Sequence, residues 1–545
     1  MNRMSRREFL RATATASAAM ALGTKGCADS TEIFPLPPDV ALDSFDHLVV
    51  IMFENRSFDM VFGALYGPDG APRGQSFDGV LGKNIVNYAP DGTAFSPTEL
   101  TESLTPRVDF GEEYQHVNVQ LWGEFLPQSN ANLPYTQQVA PYNIPPGAGT
   151  PAMNGFVTDY VSAFNQQTSG LVPSNEDLAQ VMGYLSPDLV PTFHTLAREF
   201  GVYDQWHCDV PSNTYANRSF FHSGQSYGML NTSVEWPLQT TNAPTIFNRM
   251  TDLGVSWKIY WPPSQEASTT LITNWRGICH LYDGGDGDHW ASMDAFYDDV
   301  DRGRLPKYSF IEPRMWFDNN DMHPTAPIPE LGQNYENTRS YVTAADRLLH
   351  DVYDAIRRSS NTSGSHAENT LLLVTFDEHG GSHDHVVPPP AAPPDTSIGE
   401  FGFKFDRLGI RIPTMAISSH IDPGTIVNDP MMGTSVMSTM RQKWDLGDPL
   451  TNRDANAPAF TPVINRRTAR AASDWPITTP PPVPPDSVNR DHEVISDLGD
   501  NLVRAVLAIT GEEREFAGPR ATTGEAQEIL KALAKMLADR CNQGS

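Results

Sequence analysis

Two pairs of hard-oxygen side chains each follow an apolar run without a spacer: Glu54 and Asn55 after His47 to Phe53, and Asp377 and Glu378 after Thr370 to Phe376. Carboxylates and amides of this kind suit a divalent cation, because hard cations prefer oxygen ligands. Three imidazoles, His379, His383 and His385, come directly behind the second pair. A third segment, "CDVPSNTYANRSFFHSG", carries a hydroxyl at Thr214 and a guanidinium at Arg218. A hydroxyl attacks poorly until its pKa is lowered, and a metal supplies that activation while Arg or His neutralises phosphoryl oxygens. These residue types point to metal-assisted transfer at phosphorus, through a divalent cation whose identity they leave open.

Such chemistry needs the two pairs to converge, so the elements that carry them matter. Apolar runs predict strands over 47–53, 256–261, 307–311, 370–376 and 410–417. Apolar residues at helical spacing (Tyr341, Ala345, Leu348, Leu349, Val352, Ile356) predict a helix within 335–358, and a second helical pattern spans 190–200, ahead of Thr214. Strands alternating with helices predict an α/β fold with a mostly parallel central sheet and helices on both faces. "LVVIM" and "LLLV" are unbroken apolar runs, as parallel strands covered on both sides require. Ligands of open α/β sheets bind beyond the carboxyl ends of the strands, so Glu54, Asn55, Asp377 and Glu378 are expected to meet in one cleft. Stretches rich in Gly, Pro, Asn and Ser at 67–111 and 130–150 read as loop insertions, "TTPPPVPP" at 478–485 as a semi-rigid strap, and 525–540 as a C-terminal helix.

Composition bounds the partners. With 38 Lys plus Arg against 66 Asp plus Glu, the formal charge of -28 argues against nucleic acid, whose phosphates need a basic surface. The 545 residues, 39% of them hydrophobic, suffice for a large core. "SRREFLR" and the Ala-rich run at 12–23 predict a twin-arginine export signal over residues 1–26, with the twin-arginine translocation machinery as partner and a periplasmic or secreted destination. Cys27 is a candidate lipid-attachment site, although "TKGC" departs from the preferred Leu and small residue. Besides it the chain has Cys208, Cys279 and Cys541, which allows one or two disulfides and no disulfide framework. No segment beyond the signal has the length of a membrane span.

Six stretches together resemble the bacterial phosphoesterase family of non-haemolytic-type phospholipases C and related acid phosphatases. They are "HLVVIMFENRSFDMVFG", "LAREFGVYDQWHCDVPSNTYANR", "VDRGRLPKYSFIEP" with "NNDMHP", "TLLLVTFDEHGGSHDHVVPP" and "FDRLGIRIPTMAIS". The resemblance implies an alkaline-phosphatase-like fold over 45–470, a Pro-rich strap and helical segment over 471–545, and a phospholipid or small phosphoester as substrate. It implies Glu54, Asn55, Asp377 and Glu378 as metal ligands and Thr214 as the nucleophile, with Asn217 and Arg218 completing its motif. His116, His323 and His385 follow as the imidazoles at the phosphoryl group, with His323 or His385 protonating the leaving alcohol. The chain departs from the family pattern at Ala216, where relatives carry Pro, and at Gly433, where they often carry His. Gly433 leaves open a lapsed metal-binding surface protein, and the short C-terminal segment leaves open an acid phosphatase acting on phosphomonoesters.

Overall fold

His47–Phe53 (β1) is apolar from its second residue to its last, and all seven positions are buried in the computed structural model of the chain. Described are residues 34–543 apart from 69, 104, 107, 169, 263–267, 284–286, 316–318, 325–339, 484–496 and 513–521. The expected export signal and Cys27 therefore lie outside the described residues, as does part of the Pro-rich strap. Phe34–Ser545 forms one compact unit. Among the described residues no helix is long and apolar enough to cross a membrane.

The central sheet has eight strands: β1, Gly201–Tyr203 (β2), Trp257–Trp261 (β3), Trp290–Ser292 (β4), Tyr308–Ile311 (β5), Thr370–Phe376 (β6), Thr414–Ile417 (β7) and Thr425–Val427 (β8). Their order across the sheet is β8-β2-β7-β6-β1-β5-β3-β4. Only β7 runs antiparallel to its neighbours, β6 and β2; the other five pairings are parallel. The expected strand over 410–417 is thus shorter than its apolar pattern, because Pro413 has no N–H to give a ladder. Leu48 to Phe53 are each at most 1% exposed, and burying each such side chain contributes about 1.5–3 kcal/mol.

Helices cover both faces. The principal ones are Tyr114–Trp122 (α1), Phe156–Gln167 (α2), Pro191–Glu199 (α3), Thr214–Ser223 (α4), Val342–Arg358 (α5), Thr434–Lys443 (α6), Asp497–Thr510 (α7) and Thr523–Gln543 (α8). Phe193 of α3 packs on Phe53 at 5.3 Å, whereas Phe221 of α4 packs on Phe310 at 5.9 Å. Phe310 is in register with Val50, three residues from Phe53, so the two helices lie on opposite faces by strand alternation.

β1 and β6 are paired in parallel from His47 opposite Thr370 to Phe53 opposite Phe376. That register brings the residues after both strands, Glu54 and Asp377, to the same edge of the sheet.

Candidate active site

The sequence "ENRSFD" builds one wall of the site residue by residue. Asn55 adopts φ 55°, a left-handed conformation that costs a non-glycine residue strain, and its N–H donates to Asp377 Oδ1 at 3.3 Å. Gly380 from the loop after β6 lies against it so closely that a Cβ there would be 2.2 Å from the Asn55 carbonyl oxygen. Arg56 is fully buried, donates to the Thr105 carbonyl at 2.9 Å, and is lowered by burial to about 10 even though Asp109, Asp321 and Glu378 oppose the shift. Ser57 caps the short helix Phe58–Val61 by accepting the Met60 N–H at 3.2 Å and donates to the His383 carbonyl at 2.6 Å.

Arg218, one turn into α4, ties the two strand ends together. Its Nε donates to Glu54 Oε1 at 2.8 Å and to Asp377 Oδ2 at 3.3 Å, and a second guanidinium nitrogen also donates to Glu54. Thr214 opens the same helix and donates from Oγ1 to Glu54 Oε2 at 3.3 Å. Asn217 faces backward, donating to the Ser212 carbonyl at 2.7 Å and accepting the Val210 N–H at 3.0 Å, so it shapes the loop that leads into Thr214. The hydroxyl, the guanidinium, Glu54 and Asp377 are therefore brought together, with Asn55 bonded to Asp377.

The charge balance of this cluster is unfavourable without a cation. Loss of water raises Asp377 and Glu378 well above the ordinary carboxylate range, and each is pushed further by a neighbouring carboxylate. Glu112, which accepts from the Asn55 amide, is raised by the same two causes. Asn55 Oδ1 and Glu378 Oε1 are buried without a hydrogen-bond partner. Buried oxygens left unpaired beside several carboxylates are the donor set of a hard divalent cation, so the residues fit the expected metal. A second candidate group, Asp109, Glu112 and His323, has one donor atom from each within 4.8 Å of the others.

Thr214, Glu112, Glu113, Asp109, His116, Tyr135, His323 and Asn501 line one cavity of about 240 Å³. His323 has its Nδ1 2.8 Å from the Pro324 carbonyl and its Nε2 3.8 Å from Asp109. Burial alone would lower this imidazole, yet Asp109, Asp321 and Glu54 raise it to about 9. His116 enters from α1. His385 lies elsewhere: its ring meets Asp59 at 2.7 Å and Asp78 at 3.0 Å, within a cluster around Arg411, and it does not line the Thr214 cavity. His379 and His383 are buried and lowered to about 3 and about 4 by loss of water, which suits neutral structural rings. Gly433 also lies off the cavity, where a Cβ would be 2.4 Å from Asp209, whose carboxylate accepts the Thr434 N–H at 3.1 Å.

Sequence reasoning missed Asp109, Glu112 and Glu113, although "DFGEEYQH" places them beside His116. It also missed Asp159, for which no local signal exists, and Asn501, which comes from the C-terminal segment.

Residues 45–447 match the Phosphoesterase family. Over 490 residues the chain is 29% identical to non-specific phospholipase C4 of Arabidopsis thaliana, which covers 85% of this chain and 80% of that protein. It is 28% identical over 494 residues to phospholipase C A of Mycobacterium tuberculosis, covering 83% and 82%. Similar solved structures include a protein in the alkaline phosphatase superfamily from Vibrio parahaemolyticus (14% identity, TM-score 0.27, 50% of this chain and 64% of that one). Another is a phosphonate monoester hydrolase from Silicibacter pomeroyi (11% identity, TM-score 0.28, 53% and 73%). Because the family match spans most of the chain and takes in both strand ends and the hydroxyl that meets them, the chain belongs to the Phosphoesterase family and is a phosphoric ester hydrolase.

Proposed function

We propose that the protein is an exported, metal-dependent, phospholipase C-like hydrolase in which Thr214 attacks phosphorus. The observation that carries this reading is the Thr214 hydroxyl donating to Glu54 on the wall of a cavity that two imidazoles share. Glu54 is the acceptor toward which the hydroxyl proton points. The first residues of α4 direct N–H groups and the positive end of the helix dipole at the attacked phosphoryl group. His323 and His116, both held near a pKa of about 9, carry positive charge at neutral pH and oppose the negative charge of the equatorial oxygens. Glu54, Asn55, Asp377 and Glu378 would hold the divalent cation, which when bound supplies Lewis-acid activation of the hydroxyl and of a phosphoryl oxygen. Arg218 keeps Glu54 and Asp377 in place.

The relatives' names support a phospholipid or other phosphoester as substrate. Export through the twin-arginine route is part of the proposal, with Cys27 as the anchor if lipidated. The buried Cys279–Cys541 disulfide supports an oxidising compartment. Turnover of p-nitrophenyl phosphorylcholine and p-nitrophenyl phosphate by the purified protein, with and without EDTA, tests the reading. Cleavage of the diester that EDTA abolishes and added metal restores is the expected result. Cleavage of the monoester alone would make it an acid phosphatase, and cleavage of neither would leave a metal-binding surface protein.

A further inference from the structure

His116 is set into α1 with its Nδ1 2.7 Å from Asp159 Oδ1 on α2, and both side chains are buried. The second oxygen of Asp159 accepts from Gln120 Nε2 at 2.9 Å, and Gln120 Oε1 faces His379 Nε2 at 2.7 Å, so the carboxylate is anchored on both sides. Gly111 makes room for the pair: a Cβ there would lie 2.5 Å from the imidazole and 2.8 Å from Asp159. Burial pushes Asp159 up, against which the His116 charge and the bonds from His116 and Gln120 favour the carboxylate; as a carboxylate it only accepts, so Nδ1 carries a hydrogen and the ring is fixed with Nε2 on its far side. His116 lines the cavity that Thr214 lines.

We propose that Asp159 is a positioning residue and that His116, which it orients, is the general acid that protonates the leaving alcohol. This rests on the hydrolase reading above. As the bond from Thr214 Oγ1 to phosphorus forms, the hydroxyl proton passes to Glu54, the bond from phosphorus to the leaving oxygen breaks, and the Nε2 proton moves to that oxygen. In the second half water attacks phosphorus and gives a proton to His116, while Thr214 Oγ1 leaves and recovers its proton from Glu54. The charged and titratable groups facing the ring are Asp159, Glu113 with a carboxylate oxygen 3.9 Å from Nε2, and the Tyr135 ring at 6.5 Å. Burial would lower the imidazole, but Asp159 and Glu113 together raise it to about 9, so it holds its proton at neutral pH. His323 shares the cavity and the positive charge, but its Nδ1 faces the Pro324 carbonyl and not a buried carboxylate on a neighbouring helix.

The test compares the p-nitrophenyl and phenyl esters of phosphorylcholine, whose leaving groups differ in their need for a proton. Asp159→Asn is expected to lower kcat on the phenyl ester about 100-fold while changing the p-nitrophenyl ester less than about threefold. The alkaline limb of the phenyl-ester pH profile should move from near 9 in the wild type to below 8, with Asp159→Glu restoring part of the rate. Equal losses on both esters, or an unmoved limb, would overturn the proposal. Should Asp159→Asn fail to fold, His116→Asn must show the same split between esters. An NMR titration of His116 in the wild-type protein needs no substrate and separates this proposal from the hydrolase reading: a pKa above 8 supports the pair, and one near 6.5 rejects it.

Discussion

Thr214 is a buried threonine whose hydroxyl is held by the elements around it. It is 2% exposed, it opens a helix, and its hydroxyl points at a carboxylate already held by Arg218. Thr214→Val removes the oxygen proposed to attack phosphorus while Arg218 still satisfies Glu54, so the fold and any bound metal should persist. The expected outcome is a loss of kcat on the order of 1000-fold or more, part of it retained in Thr214→Ser, and no phosphoenzyme after rapid acid quench of the valine variant. Near-wild-type turnover by the valine variant would make water the attacking group. At this scale two imidazoles that the motifs treat alike also separate, since His323 lines the cavity and His385 does not.

At the scale of elements, His385 has a structural role that spacing alone hides. Asp59 follows β1 by a few residues, Asp78 belongs to the loop insertion, and Arg411 precedes β7; His385 from the loop after β6 donates to both carboxylates, and Arg411 beside it donates to Asp59 as well. Loss of water would lower this ring, yet its hydrogen bonds to Asp59 and Asp78 raise it to about 9. A histidine raised in the folded state contributes stability that is fully present below its unfolded value of about 6.5 and is lost as pH rises through about 9. His385→Gln should therefore cost about 2 kcal/mol in urea unfolding at pH 6 and little at pH 9.5. An equal loss at both pH values would assign the residue to packing rather than to charge.

At the largest scale, the C-terminal helices of the Phe34–Ser545 unit pack back onto its catalytic part. α7 packs against the short helices Trp236–Gln239 and Thr269–Thr273, places Asn501 on the cavity wall, and is followed by α8, whose Cys541 is bonded to Cys279 across 262 residues of sequence. The C-terminal segment and the catalytic sheet thus contribute to one cavity. Cys541→Ser, or reduction of the intact protein, is expected to destabilise this arrangement by about 2–4 kcal/mol. Calorimetry should show a lower Tm, and kcat/KM should fall as the wall that Asn501 forms loosens. A Tm unchanged by reduction would mean that helix packing alone secures the segment.

The sequence by itself determined β1 and β6 to the residue, because seven consecutive buried positions leave an apolar run with no competing period. It also determined that the chain is an α/β protein and which oxygens end those strands, since a parallel sheet presents chain ends at one edge. Only the tertiary structure decided which imidazole joins which carboxylate. His116 and Asp159 lie on separate helices, His385 answers to an arginine near β7, and Asn501 arrives from the far end of the chain. Strand and helix patterns are local and periodic, so they are legible in a window of residues. The partner of a buried charge is set by packing between distant elements, where no periodicity records it.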